Sequence, residues 1–179
     1  MLSRHVKAAL VAASLVAATG STAGAQTFDL VFRDGFDPSV LNETDQPGEA
    51  DYCTIQFPLS FAVDAGLLTP PIYGRLFEAG VTPVAGAPAG WIAQVGYGPD
   101  GSDPWTGAWQ FTGAAYNLQV GNDDEFQGSF VAPAPGTYSY VYRFSGDGGG
   151  TWTYCDTDGA GSNSGLTFEA INLGTMTVQ

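Results

Sequence analysis

Flat aromatic rings beside short polar side chains make a surface that can stack on sugar rings and hydrogen-bond their hydroxyls, and one stretch of this chain has that make-up. Gly101-Ser-Asp-Pro-Trp-Thr-Gly107 places Trp105 in a loop next to Asp103, with Tyr97, Trp109 and Tyr116 near enough in sequence to complete a ligand-binding platform. The competing reading puts Tyr97 and Trp109 in a hydrophobic core and lets Trp105 cap one end of it, because buried aromatics dominate β-sandwich interiors. Trp91 and Trp152 fit a core better than a platform. Clustered carboxylates suggest a second chemistry, since calcium takes several hard oxygen ligands. Gly121-Asn-Asp-Asp-Glu125 groups Asp123, Asp124 and Glu125 in what reads as a loop. Asp156-Thr-Asp158 opens like an EF-hand loop, with Gly161 at its sixth position, but Ala160 and Thr167 stand where oxygen ligands belong. Turn chemistry, in which Asp and Asn side chains bond their own backbone, explains either acidic loop without a metal.

Composition narrows the remaining chemistry. The chain holds 18 Asp and Glu against 5 Lys and Arg, with a single histidine. Residues 1–25 contain Arg4, His5 and Lys7, so beyond them only Arg33, Arg75 and Arg143 carry positive charge, and histidine and lysine are absent. Nucleic-acid binding requires clustered cations that release counterions, and this surface has none. A serine or cysteine nucleophile would have no histidine or lysine base. Catalysis would rest on carboxylates alone, as in glycosidases with two groups about 5 to 9.5 Å apart. Glu78, Glu125 and Glu169 are the candidates, and nothing in their spacing sets that distance. The expectation is a non-catalytic protein that needs no cofactor. Arg75 and Arg143 fall mid-strand and are expected to pair with carboxylates, because unpaired charges are rarely buried.

The first 25 residues read as a signal peptide. A positive start, Met-Leu-Ser-Arg-His-Val-Lys, precedes an apolar run from Ala8 to Ala18 broken only by Ser14, and Ala23-Gly24-Ala25 supplies small residues for cleavage before Gln26. The apolar run is short for a bilayer span. The expected location is secreted, extracellular or periplasmic. In that oxidising setting Cys53 and Cys155, the only cysteines, are expected to form one disulfide; the alternative is two reduced, buried thiols.

The elements that must position these groups are short strands, because no apolar pattern keeps helical spacing over three turns. Strands are predicted at residues 28–33, 52–57, 72–78, 91–97, 108–114, 125–131, 137–145, 151–156 and 174–178. Their number predicts an all-β, immunoglobulin-like, two-sheet antiparallel β-sandwich of seven to nine strands. Residues 26–50 are expected to hold an N-terminal strand and an acidic connector, and residues 51–179 the β-sandwich domain. Six acids and two prolines in residues 34–51 predict a mobile connector there. Asn42-Glu43-Thr44 within it fits a glycosylation acceptor where the source has that machinery. Tyr138, Tyr140, Tyr142 and Phe144 alternate with Ser139, Val141 and Arg143, so the aromatic set is assigned to the core. Gly136-Thr137-Tyr138 has the form of a tyrosine corner, and the glycines at 146 and 148–150 predict a hairpin turn.

Four segments also carry a resemblance: Cys53-Thr-Ile-Gln-Phe-Pro58, Val95 to Pro104, Gly121 to Glu125, and Asp147 to Asp156 with its Trp-x-Tyr-Cys-Asp ending. Over residues 51–179 the chain resembles a loosely defined set of secreted bacterial Ig-like or fibronectin-like β-sandwich accessory modules. Phe32-Arg-Asp-Gly-Phe36 is similar to a short segment that precedes domains in exported bacterial proteins. The resemblance implies an accessory domain of the kind attached to extracellular enzymes and surface proteins, and it brings no catalytic residue; with the loop aromatics, the expected partner is an extracellular polysaccharide or a surface protein.

Overall fold

A computed structural model describes residues 45, 46 and 48–179. The predicted leader, the strand at 28–33, the Phe32–Phe36 segment, the Asn42 acceptor and most of the acidic connector lie outside the described residues.

Among the described residues nine strands form: β1 Tyr52–Phe57, β2 Ser60–Val63, β3 Ile72–Phe77, β4 Ile92–Pro99, β5 Gln110–Val120, β6 Asp123–Gly128, β7 Gly136–Ser145, β8 Thr153–Cys155 and β9 Gly174–Val178. They make one hydrogen-bonded path, β1-β3-β6-β5-β4-β7-β9-β2, with β8 on β7. The long β5 holds the path together. Gln110 to Ala114 pair with β4 and Ala115 to Val120 with β6, so a single strand serves two ladders. The sheet nearly closes. β1 bonds the chain just after β8 through Cys53 N to Ala160 O (2.8 Å), Ala160 N to Cys53 O (2.9 Å) and Ile55 N to Asp156 O (2.8 Å). Cys53 and Cys155 form the expected disulfide at the same seam. The result is an all-β, nearly barrel-shaped sheet. One pairing departs from the antiparallel expectation: β2 runs parallel to β9.

The alternation of β7 builds the core. Tyr140, Tyr142 and Phe144 are fully buried on the inner face with Ile55, Ile72, Leu76 and Val95. Their polar ends are satisfied by strand carbonyls: Tyr140 Oη donates to Pro58 O (2.5 Å) and Tyr142 Oη to Ile72 O (2.6 Å). Burial raises both phenol pKa values above the ordinary range. The predicted tyrosine-corner bond also forms, Tyr138 Oη donating to Ala134 O at 2.9 Å. Val141, on the opposite face of β7, is equally buried because a second cluster of Trp109, Ala160, Phe168 and Leu173 covers it. β7 is therefore enclosed on both faces. The predicted hairpin pairs β7 with β8, and Asp147 fastens its turn by accepting from Gly150 N, Thr151 N and Ser145 Oγ. Those bonds hold the Asp147 carboxyl down at about 2.

Candidate functional site

The five residues of the predicted platform divide between two faces. Tyr97 points inward, stacked on Phe130 at 4.8 Å and edge-on to Tyr138. Tyr116 packs edge-on to Phe126 against the same main core. Trp105 and Trp109 belong to the outer cluster. A β-strand sends successive side chains to opposite faces, so odd positions of β4 such as Val95 and Tyr97 join the core while even ones look outward. Asp103 uses its backbone carbonyl to hold the Trp105 loop, accepting from Thr106 N and Thr106 Oγ1.

The outer face carries a more extensive aromatic group than sequence reasoning assigned. Gly96 and Gly98 leave two slots on the outer side of β4, where Phe111 and Trp109 lie against bare backbone; a Cβ on Gly98 would stand 2.5 Å from the Trp109 indole. Trp109 is fixed further by its Nε1 donating to Ser102 Oγ (3.0 Å) and by stacking on Phe111. Trp105 meets Tyr154 and Phe168 edge-on at 6.0 and 5.7 Å. At the centre is Arg143, whose guanidinium lies 3.5 Å from the Phe111 ring centroid and 4.0 Å from that of Trp152. Its Nε and Nη2 both donate to Gln94 Oε1, at 2.9 and 2.6 Å, and Nη1 donates to Tyr154 Oη at 3.3 Å. Two expectations are corrected here. Arg143 is neutralised by no carboxylate in these contacts but held by two aromatic faces and an amide, an arrangement that suits a weakly hydrated planar cation. Trp152, expected in the core, sits one residue before β8 on the same side as Tyr154, and covers Arg143 on the outer face. Trp105, Phe111, Arg143, Trp152 and Tyr154 are all half-buried, so edges of the group reach solvent.

The acidic residues are dispersed in a different way. Gly121-Asn122 is the two-residue turn of the β5–β6 hairpin, and the acids that follow are strand residues, not a loop. Their side chains alternate across the sheet, so Asp123, Asp124 and Glu125 do not converge on one ion. Asp123 faces Arg75 (3.9 Å), as expected for that arginine, and Glu125 accepts from Asn117 Nδ2 (2.5 Å). Asp124 is fully buried on the inner face with neither carboxylate oxygen hydrogen-bonded. Burial, with Asp123 adding, pushes its pKa up to about 6. Asp156 is fully engaged in turn chemistry: Oδ1 accepts from Asp158 N and Gly159 N, and Oδ2 from Glu169 N. Asp158 accepts from Asn172 Nδ2 at 3.0 Å.

The three candidate glycosidase acids have separate partners. Glu125 bonds Asn117, Glu169 bonds Asn172, and Glu78 accepts from Asp51 N. Glu78 instead joins an acidic group that the sequence reading left inside its mobile connector. Glu49 and Asp51 are 2% and 4% exposed, and Asp45, Glu49 and Asp51 each offer a carboxylate oxygen within 4.8 Å of the others. Burial, then the charges of Asp51, Glu49 and Asp45, raise the Glu78 pKa to about 7 against the opposing Asp51 backbone bond.

Comparison of the chain with protein-family models and with curated protein sequences finds no match. Among the described residues no helix is long and apolar enough to cross a membrane.

Proposed function

We propose that this protein is a secreted, non-catalytic β-domain that binds extracellular glycan on its outer aromatic face, and that its sheet is an immunoglobulin-like two-sheet sandwich joined through β5. The observation that carries the binding reading is the Phe111–Arg143–Trp152 stack, extended by Tyr154 and Trp105. Rings held half-buried by glycine slots and edge contacts are ordered before any ligand arrives, which lowers the entropic cost of stacking a sugar on them. Gln94 and Arg143 supply polar groups within the same surface, as orientation-fixing groups do in small-molecule sites. The tyrosine-corner bond and the division of β5 between two ladders support the sandwich. The disulfide supports an oxidising compartment.

Retention on a panel of insoluble polysaccharides tests this reading. Trp152→Ala is expected to lower retention on the bound polymer about tenfold or more with little change in Tm, since stacked aromatics are the residues that carry binding energy. Equal loss of retention and Tm would make Trp152 a structural lid over Arg143.

One observation favours a second reading, a protein-interaction or adhesion domain. Leu67, Leu68 and Val131 are 56%, 65% and 59% exposed, and Leu68 bridges Val131. The short strand β2 is also the terminal strand of the path. Exposed apolar groups beside a sheet edge are features of protein interfaces. Retention on no polysaccharide would transfer the assignment to this surface.

A further inference from the structure

We propose that Asp45, Glu49 and Asp51 bind a divalent cation, calcium, which fastens the end of the acidic connector to the rim of the β-domain. Three elements meet at this point. The Gly48 carbonyl accepts from Gly146 N (2.8 Å) and Ala50 N donates to Thr153 Oγ1 (2.9 Å), which lays the connector along the β7–β8 hairpin. Asp51 then accepts from Ala79 N (2.7 Å), beyond β3, and from Asn163 Nδ2. These bonds fix the Asp51 carboxylate without neutralising it.

Glu49 supplies the independent pointer. Its Oε1 accepts from Gln46 N (3.1 Å), but Oε2 is buried with no hydrogen-bond partner. The residue is 2% exposed, and its carboxylate belongs to the group whose oxygens lie within 4.8 Å. A buried carboxylate oxygen without a partner loses hydration and gains nothing in return, so a native site normally fills it with a donor or an ion. No side-chain cation does so. Arg75 and Arg143 are the only cationic side chains among the described residues, and they are committed to Gln56 and Asp123, and to Gln94 and the aromatic stack. Glu78 adds a fourth carboxylate beside Asp51, which increases the demand for positive charge.

The donor set selects the ion. Every candidate ligand is an oxygen, both cysteines are in the disulfide, and no histidine is present beyond residue 5, which disfavours zinc and copper. Calcium accepts irregular carboxylate cages of variable coordination, whereas magnesium demands a near-octahedral shell and keeps its water. Asp45 is exposed and leaves an entry path from solvent. The ligands of this site are none of the acids singled out in the two sequence loops, although Asn163 of the second loop donates to Asp51.

Calorimetric titration of the purified protein with CaCl2, and in parallel with MgCl2, tests the proposal. One saturable calcium site is expected, with Kd on the order of 0.1–1 mM as in extracellular modules, and a higher Tm in calcium than in EDTA. Asp45→Asn, a change at an exposed position that leaves folding intact, should weaken calcium about tenfold. Glu49→Gln should remove the saturable heat, and Asp123→Asn should leave it unchanged. Absence of saturable binding to the folded protein would overturn the proposal. So would wild-type affinity in Asp45→Asn, or a loss confined to Asp123→Asn.

Discussion

At the residue scale, Asp124 shows how burial sets the behaviour of a carboxylate. Its pKa of about 6 lies above the ordinary 3.8, so the folded protein keeps this proton longer than the unfolded chain does. The sign follows from linkage: between pH 4 and 6 the native state binds more protons, and stability falls as pH rises through that window. Asp124→Asn removes the charge at nearly constant shape. The expected outcome is a Tm a few degrees above wild type at pH 7.5, with the two proteins close together at pH 4. An equal difference at both values would show that the charge is not the cause. Sequence spacing grouped Asp123, Asp124 and Glu125 correctly as neighbours but not as a cluster, because Gly121-Asn122 is a hairpin turn that turns the acids into strand residues on alternate faces. That two-residue Gly-Asn turn was a usable signal.

At the element scale, β4 decides where the aromatic face is. Its even positions include two glycines, and the space left by their missing side chains is filled by Phe111 and Trp109 from β5 and the preceding loop. Gly98→Ala would push a methyl group into the Trp109 indole, which is itself held by Ser102. Over-packing of this kind costs about 1–3 kcal/mol. Urea unfolding should therefore show a lower midpoint with an unchanged m-value, and a wild-type midpoint would mean that Trp109 can move aside freely. The alternation along β7 is readable from Tyr138 to Phe144 without a structure, and the inner assignment holds for the whole set, with Tyr138 half-buried at the margin of the core. Trp152 departs from its expected core position for a physical reason. Its type suits a core, but its position relative to Cys155 places it with Tyr154, and only the position of Arg143 across the hairpin explains why a tryptophan stands there. The strand β2 is not legible in the sequence because four residues, Ser60 to Val63, carry too little pattern, and their partner β9 is more than a hundred residues away.

At the scale of the whole molecule, closure of the sheet depends on one seam. β1 and β8 are far apart in the chain, and the Cys53–Cys155 disulfide joins them across a sequence separation of 102. Cross-linking a loop of that length contributes on the order of 4.7 kcal/mol in the chain-entropy model. The double variant Cys53→Ala, Cys155→Ala is expected to lose about 2–5 kcal/mol in chemical denaturation, and to lose calcium affinity with it, because Asp51 lies two residues from Cys53. Retention of full stability would mean that the backbone bonds at Ala160 and Asp156 close the seam alone. Overall charge is legible from composition, but charge cannot say which surface meets a ligand. Glycan binding at the aromatic face would be reported by the four indole N–H groups. Titrating soluble oligosaccharides into labelled protein and following the indole resonances should shift Trp152 and Trp105 while leaving Trp91, packed against the main core, in place. A shift of Trp91 alone, or no indole shift with any oligosaccharide, would contradict the account.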